Sequence, residues 1–511
     1  MLNSQRLNRI NRILLTVFFV IQPVLEITVS LFKDDFFAIA GIPIATIVRY
    51  LLFALIFILA VLANLKNKYT WGLVGYAVAC VGYILAHYLN VRDFDLVVNE
   101  ISAKKSLVQC AFNISEYMVP ICVILLVLIL QFDYKHFKIS AIAGSAIAAV
   151  SQVATNLLGL DFISYGYGSY DHPKGSFLAW FFEDVNETNW EAYTSRGLFD
   201  SGNAIGAFLS LLLPVTLFMA FREKKVLLFL LSFLQLLSLL MVSTRISVYG
   251  AIMLLVIMLG LWLFDAVFNR IKIDLKSLIC VGVVAALFVT AFSFSPFVLR
   301  MKSGEGFDNN YTINDNISNS MLEGGSDVAL DYKLEFIRDN YFYHYLSEEF
   351  VVKYYNYEEH PDFWFDLMTN VDFSQRDNAR KVKGLILKDI MANKNSPADE
   401  WLGIGEMGIY PEADFVATYY SYGIVGIVLF LAPYLLITAA TLIKLLIELF
   451  KKRFDVMSYS LVLALGFVLA SAFYAGNTMV YAFINIFIGL VSGILLQKLV
   501  ERRTEHSEGE K

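Results

Sequence analysis

Charge is scarce in this chain. Asp, Glu, Lys and Arg make up only 17% of its 511 residues, and 58% are hydrophobic, whereas soluble domains run to about a quarter charged and about half apolar. An ordinary water-soluble globule is thereby excluded, because the excess apolar surface has to face lipid. Cysteine is scarcer still. The four present, Cys80, Cys110, Cys122 and Cys280, all fall inside long apolar runs, which excludes a disulfide framework and a cysteine-based metal cluster. Short segments of alternating polarity are missing, and with them the signature of a membrane β-barrel. There is no internal repeat and no low-complexity linker. The first apolar segment has no small-residue cleavage site after it and reads as an anchor, not as a removable signal peptide.

What the chain does have is apolar runs of about 18 to 25 residues, each long enough to cross a hydrocarbon core of roughly 30 Å as a helix. They lie near residues 11–32, 44–63, 70–90, 106–130, 139–158, 204–221, 225–243, 246–264, 277–296, 415–443, 457–475 and 478–498. The expected fold is therefore an all-α polytopic membrane protein of about twelve transmembrane helices. Lys and Arg gather in alternate short connections: Arg6, Arg9 and Arg12, then Lys66 and Lys68, Lys135 and Lys138, Arg222 with Lys224 and Lys225, Arg270 with Lys272 and Lys276, and Lys451 to Arg453. The positive-inside rule puts these, and the tail with Lys498, Arg502 and Arg503, in the cytoplasm. An even number of crossings satisfies this, with both termini in the cytoplasm.

Two of the outward segments are long, 159–203 and 297–413. The second is far longer than an ordinary connection and should be a mainly helical module between spans nine and ten, packed through aromatic runs such as Tyr341-Phe342-Tyr343 and Phe363-Trp364-Phe365. The expected organisation is 1–296 for nine spans, 297–413 for the module and 414–511 for the last three spans and tail.

In this otherwise acidic module, residues 376–394 collect Arg376, Arg380, Lys381, Lys383, Lys388 and Lys394. On a helix, Arg376, Arg380 and Lys383 share a face beside an apolar one of Ala379, Val382, Ile386 and Ile390. Such a helix either lies on the lipid surface or offers an anion-binding face, for which the arginine fork is suited. Arg196 and Arg245 stand at outward span edges. Arg49 is inside the second span, where an ion pair with Glu26 competes with a substrate role. Polar stripes, Gln109, Asn113 and Glu116 on the fourth span and Asn477, Tyr481 and Asn485 on the twelfth, fit either a cavity or interhelical hydrogen bonds. Glu412 and Asp414 follow Gly403-Ile404-Gly405 where a water-exposed segment meets the membrane. A carboxylate there can act as a general base or merely cap a helix.

The order of these features resembles the O-antigen ligase and polymerase family of bacterial membrane glycosyltransferases. The matching pieces are Arg196-Gly197-Leu198-Phe199 with Gly202-Asn203, Ser243-Thr244-Arg245, the basic stretch around Arg376 and Arg380, Gly403-Ile404-Gly405, Glu412 with Asp414, and Gly423-Ile424-Val425-Gly426. They cover residues 150 to 430 in family order. The resemblance implies transfer of a glycan from a polyprenyl diphosphate to an acceptor hydroxyl on the outer membrane face, in surface polysaccharide synthesis. Inversion by direct displacement would need no metal or other cofactor. Asp414 is the expected base with Glu412 in reserve, and Arg196, Arg245, Arg376, Arg380 and Arg49 are the expected diphosphate ligands. Many ligases carry a His-Asn pair where this chain has Asp414-Phe415, which favours a repeat-unit polymerase over a ligase. The expected partners are the lipid-linked donor, a glycan acceptor, the bilayer and other assembly proteins, with no nucleic acid. A divalent ion at Asp34 and Asp35 is a lesser alternative. The rivals are a flippase of lipid-linked glycan, which should show similar halves, and an envelope scaffold.

Overall fold

The computed structural model describes every residue except 1–3, 33–37, 40–41, 95, 99–100, 103, 166–170, 271–272, 304–328, 345, 377 and 510–511. Asp34, Asp35, Lys272 and Asp377 therefore lie outside the described residues.

Among the described residues, eleven helices are long and apolar enough to cross a membrane: Ser4–Leu31, Ile44–Ala63, Lys68–Val91, Leu107–Ile129, Tyr134–Leu158, Gly202–Glu223, Arg245–Phe268, Leu275–Phe294, Asp414–Phe450, Val456–Tyr474 and Ala482–Glu501. A twelfth apolar helix, Val226–Val242, is 17 residues long and fills the place of the expected seventh span. The protein is an all-α, multi-pass membrane protein. Among the described residues, strand is confined to two short antiparallel pairs, Ala38–Ile39 with Ile42–Pro43 and Val97–Val98 with Ile101–Ser102. Helix is what the bilayer requires, since it satisfies its own backbone hydrogen bonds in a medium without water.

The chain forms two compact units. The first comprises Met1–Val78, Glu116–Glu305 and Ala432–Lys511; the second comprises Ala79–Ser115 and Gly306–Leu431.

In the first unit the helix Gly202–Glu223 is buried along its whole apolar length, as expected of a helix that is hydrophobic all round. Val226–Val242, Arg245–Phe268, Val456–Tyr474 and Tyr134–Leu158 pack around it. Lipid-like surroundings provide little hydrophobic drive between helices, so polar side chains help to join them. Gln152 donates to the carbonyls of Ser195 (2.9 Å) and Ser238 (3.3 Å), and Ser145 meets Thr216 at 3.2 Å.

The second unit has its own apolar core, in which Trp364, Ile337, Val351, Ile386 and Ile404 are fully buried and Val98 arrives from the short strand pair. Here the single basic helix expected over 376–394 is corrected. There are two helices, Phe373–Arg376 and Ala379–Lys394, and Asn378 caps the second by accepting the Lys381 N–H at 3.0 Å. Asn favours such a cap over a helix interior, which is why the pattern breaks there. The apolar face of the second helix, Val382, Ile386 and Ile390, is buried in the core of the unit. That occupies the face that a lipid-surface helix would need.

The expected span 415–443 is a longer helix, Asp414–Phe450, interrupted at Gly423, whose backbone is at φ 65°, ψ −168°. Only glycine occupies that region freely. The break is built against the preceding segment: Ile404 N–H donates to the Tyr420 carbonyl (2.8 Å) and Gly405 N–H to that of Ser421 (3.1 Å). A Cβ on Gly423 would lie 2.4 Å from the Trp401 carbonyl carbon, and one on Gly403 would lie 2.2 Å from the Ser421 oxygen. The third span supplies side chains to both abutting segments: Tyr83 donates to the Tyr422 oxygen (2.6 Å) at the interruption, and His87 Nδ1 lies 2.7 Å from the oxygen of Leu402, the last residue of the helix Pro397–Leu402.

Candidate active site

In the first unit, cations gather at the turn from Val226–Val242 into Arg245–Phe268. Ser243 takes a left-handed conformation (φ 55°), and Thr244 caps the next helix by accepting the Ser247 N–H, which sets Arg245 as its first residue. The segment carrying Arg196 is fastened to the same turn: Ser195 N–H donates to the Met241 carbonyl (2.8 Å), and Arg196 N–H donates to Phe162 (2.9 Å). Arg196 is buried, with its guanidinium 5.8 Å from the Phe162 ring centre. Tyr165 donates to the Ser243 carbonyl at 3.0 Å. Burial pushes its phenol up to about 12, against the pull of Arg300 and Arg245. Arg300, from the helix Pro296–Lys302, completes the group by donating Nη1 to the Tyr165 hydroxyl and to the Ser243 carbonyl. Arg300 is not evident from the sequence, because a lone Arg after a span carries no pattern.

Arg49 sits elsewhere in this unit. Its Nε donates to Gln22 (2.8 Å) and its Nη2 to Glu26 (3.3 Å), all three residues buried. The ion pair anticipated as an alternative is thus present. The last helix begins at Ala482, so of the expected stripe Asn477, Tyr481 and Asn485 only Asn485 lies on it; Tyr481 donates to Asp200 at 3.2 Å and Asn485 to the Met479 carbonyl.

In the second unit the two expected carboxylates are held differently. Glu412 has a left-handed backbone (φ 50°), uncommon for a residue with a side chain. Its oxygens meet Arg380 Nε at 3.0 Å and Lys383 Nζ at 3.8 Å. Asp414 is 1% exposed and accepts from the Tyr410 hydroxyl at 2.7 Å. It is the first residue of its helix and not the cap, which is Ala413. Arg376 is buried within the unit, donating to the carbonyls of Val371 (3.1 Å) and His344 (2.9 Å), and burial lowers its pKa. Arg376 and Arg380, expected on one face, thus have different partners.

A third carboxylate was missed. Glu406 accepts from Asn113 Nδ2 at 2.7 Å and from the Tyr422 hydroxyl, next to the Gly423 break. Burial raises its pKa, opposed by the Tyr422 hydrogen bond and by Lys105. Its position directly after Gly403-Ile404-Gly405, together with Asn113 on a polar stripe, was the available signal.

Comparison with known proteins gives one positive result. A family model described as "O-antigen ligase like membrane protein" matches residues 8–502. No curated protein and no solved structure matches the chain.

Proposed function

Since the chain belongs to the O-antigen ligase-like family of membrane proteins, and is thus a membrane enzyme of surface polysaccharide assembly, we propose that it is a polymerase of lipid-linked repeat units. It takes a glycan from a polyprenyl diphosphate and passes it to a hydroxyl of the next unit. The acceptor oxygen attacks the anomeric carbon. The bond from that carbon to the diphosphate oxygen breaks, the electron pair leaves with the diphosphate, and the configuration inverts. A diphosphate is already a good leaving group, so the protein's task is to neutralise the growing charge and to take up the hydroxyl proton.

The observation that carries this reading is the fastening of the Arg196 segment to the turn that presents Arg245, through Ser195 and Met241. Two arginines distant in sequence are held at one helix junction, and the planar fork of arginine suits a diphosphate. Asp414 is assigned as the base. It is buried with a phenol as donor, whereas Glu412 already faces two cations. The outward face is assigned to 159–203 and 297–413, and both termini to the cytoplasm, on the distribution of Lys and Arg.

Lysine at Arg196 or Arg245 keeps the charge and loses the fork, so each variant should lose most of its turnover while folding normally. Asp414→Asn should lower turnover by about a hundredfold to ten-thousandfold with little effect on donor binding. Near-normal turnover in both Lys variants removes the diphosphate role, and near-normal turnover in Asp414→Asn moves the base away from Asp414. A ligase would yield the same bond chemistry with a single transfer to a terminal acceptor, so the length of the product glycan separates the two.

A further inference from the structure

The proposed grip on diphosphate leaves one neighbouring cation unassigned. Arg300 is fixed from one side only. Its guanidinium lies over the rings of Tyr165 (4.8 Å) and Trp190 (5.2 Å), and Nη1 is taken by the Tyr165 hydroxyl and the Ser243 carbonyl. The opposite edge, Nε with Nη2, makes no hydrogen bond among the described residues, and Nε is buried without a partner. This is the edge with which arginine grips an oxyanion through two parallel bonds. No carboxylate among the described residues lies within ion-pair distance of Arg300. Its charge is therefore uncancelled at close range, beside Arg245, which acts on the same phenol.

An arginine present only to brace the turn would not need this arrangement. Bracing uses Nη1 and the two rings. A buried Nε without an acceptor is a cost that bracing alone does not require. Phosphate oxygens would satisfy both the unbonded edge and the charge.

We propose that Arg300 is a phosphate-binding residue of the donor site, its Nε–Nη2 edge holding one phosphate of the lipid diphosphate at the turn that presents Arg245. The inference rests on the diphosphate reading above and adds a residue to it. Tyr165 is then a positioning residue, because its hydroxyl and ring fix the plane of the guanidinium.

The test uses the full-length protein in detergent and measures binding of farnesyl diphosphate, farnesyl monophosphate and, as competitor, phosphatidylglycerol. The wild type should prefer the diphosphate. Arg300→Gln should weaken diphosphate binding by about tenfold or more, as loss of a charge-assisted bidentate contact implies, while monophosphate binding changes less. Arg300→Lys should retain part of the affinity and lose most of the preference for diphosphate over monophosphate. Should Arg300→Gln fail to fold, the Lys variant decides: an unchanged preference overturns the proposal and a lost preference supports it. Equal diphosphate binding by wild type and a folded Arg300→Gln variant also overturns it, leaving the roles of Arg196 and Arg245 intact. Phosphatidylglycerol competing as well as farnesyl diphosphate overturns it in favour of a site for membrane lipid headgroups. Absence of any diphosphate binding by the wild type defeats the underlying reading instead.

Discussion

Replacing Gly423 with alanine should damage the second unit more than any change of one methyl group normally does. The backbone there is at φ 65°, ψ −168°, a region that costs a residue with a side chain about 1–3 kcal/mol. The added Cβ would stand 2.4 Å from the Trp401 carbonyl carbon, 2.5 Å from its oxygen and 2.6 Å from the Leu402 nitrogen. All three are backbone atoms, so no rotamer change relieves the clash and the two segments have to separate. Separation breaks the Ile404–Tyr420 and Gly405–Ser421 hydrogen bonds, each worth about 1 kcal/mol. The total is about 3–5 kcal/mol, which for a unit of 150–250 residues corresponds to a fall of roughly 6–20 °C in unfolding temperature. The assay is thermal unfolding of the purified protein, with turnover measured below the transition. Gly282→Ala is the control: a Cβ there meets nothing within 4 Å, and better helix propensity should leave stability equal or raised by up to about 1 kcal/mol. A Gly423→Ala variant that unfolds with the wild type and turns over normally would refute the account of the interrupted helix.

Stability should also depend on pH through Glu406. Burial raises its pKa in the folded protein, so its contribution is intact below the ordinary carboxylate value of about 4.3 and is lost as pH rises through the raised folded value, the unfolded chain having released its proton first. Unfolding temperatures measured across mildly acidic to neutral pH should fall for the wild type and stay flatter for Glu406→Gln; parallel curves would remove Glu406 as the cause. For Arg380 and Glu412, whose side chains are 43% and 26% exposed, a double-mutant cycle should give a coupling of about 0.2–1 kcal/mol, and zero coupling would mean the pair is not maintained in solution. Single cysteines placed in 159–203 and 297–413 should react with an impermeant maleimide on intact cells, and one beyond Lys498 should not; the reverse pattern would invert the assigned topology.

Most of the membrane architecture was readable from the chain because lipid imposes one rule on every span. Nearly all predicted boundaries, such as 44–63 and 106–130, fall within a few residues of the observed helices Ile44–Ala63 and Leu107–Ile129. The interruption at Gly423 was not readable. Hydropathy runs smoothly through it, and what opens the helix is a non-local contact with residues 401–405. The basic stretch misled for a related reason: a period of 3.6 places Arg376 and Arg380 together, but Asn378 begins a new helix between them. The carboxylates Glu412 and Asp414 were visible by location alone. Their different surroundings, two cations for one and a phenol for the other, depend on Arg380, Lys383 and Tyr410. Glu406 and Arg300 stayed hidden because their partners, Asn113, Tyr422, Tyr165 and Ser243, are gathered from remote parts of the chain.

The most direct test supplies the reconstituted protein with a labelled oligosaccharide on a polyprenyl diphosphate and follows the label. Glycans of increasing length, still lipid-linked, with release of polyprenyl diphosphate and inverted anomeric configuration, are the predicted result. Movement of unaltered donor from one side of the vesicle to the other, or label that neither moves nor changes, would contradict it.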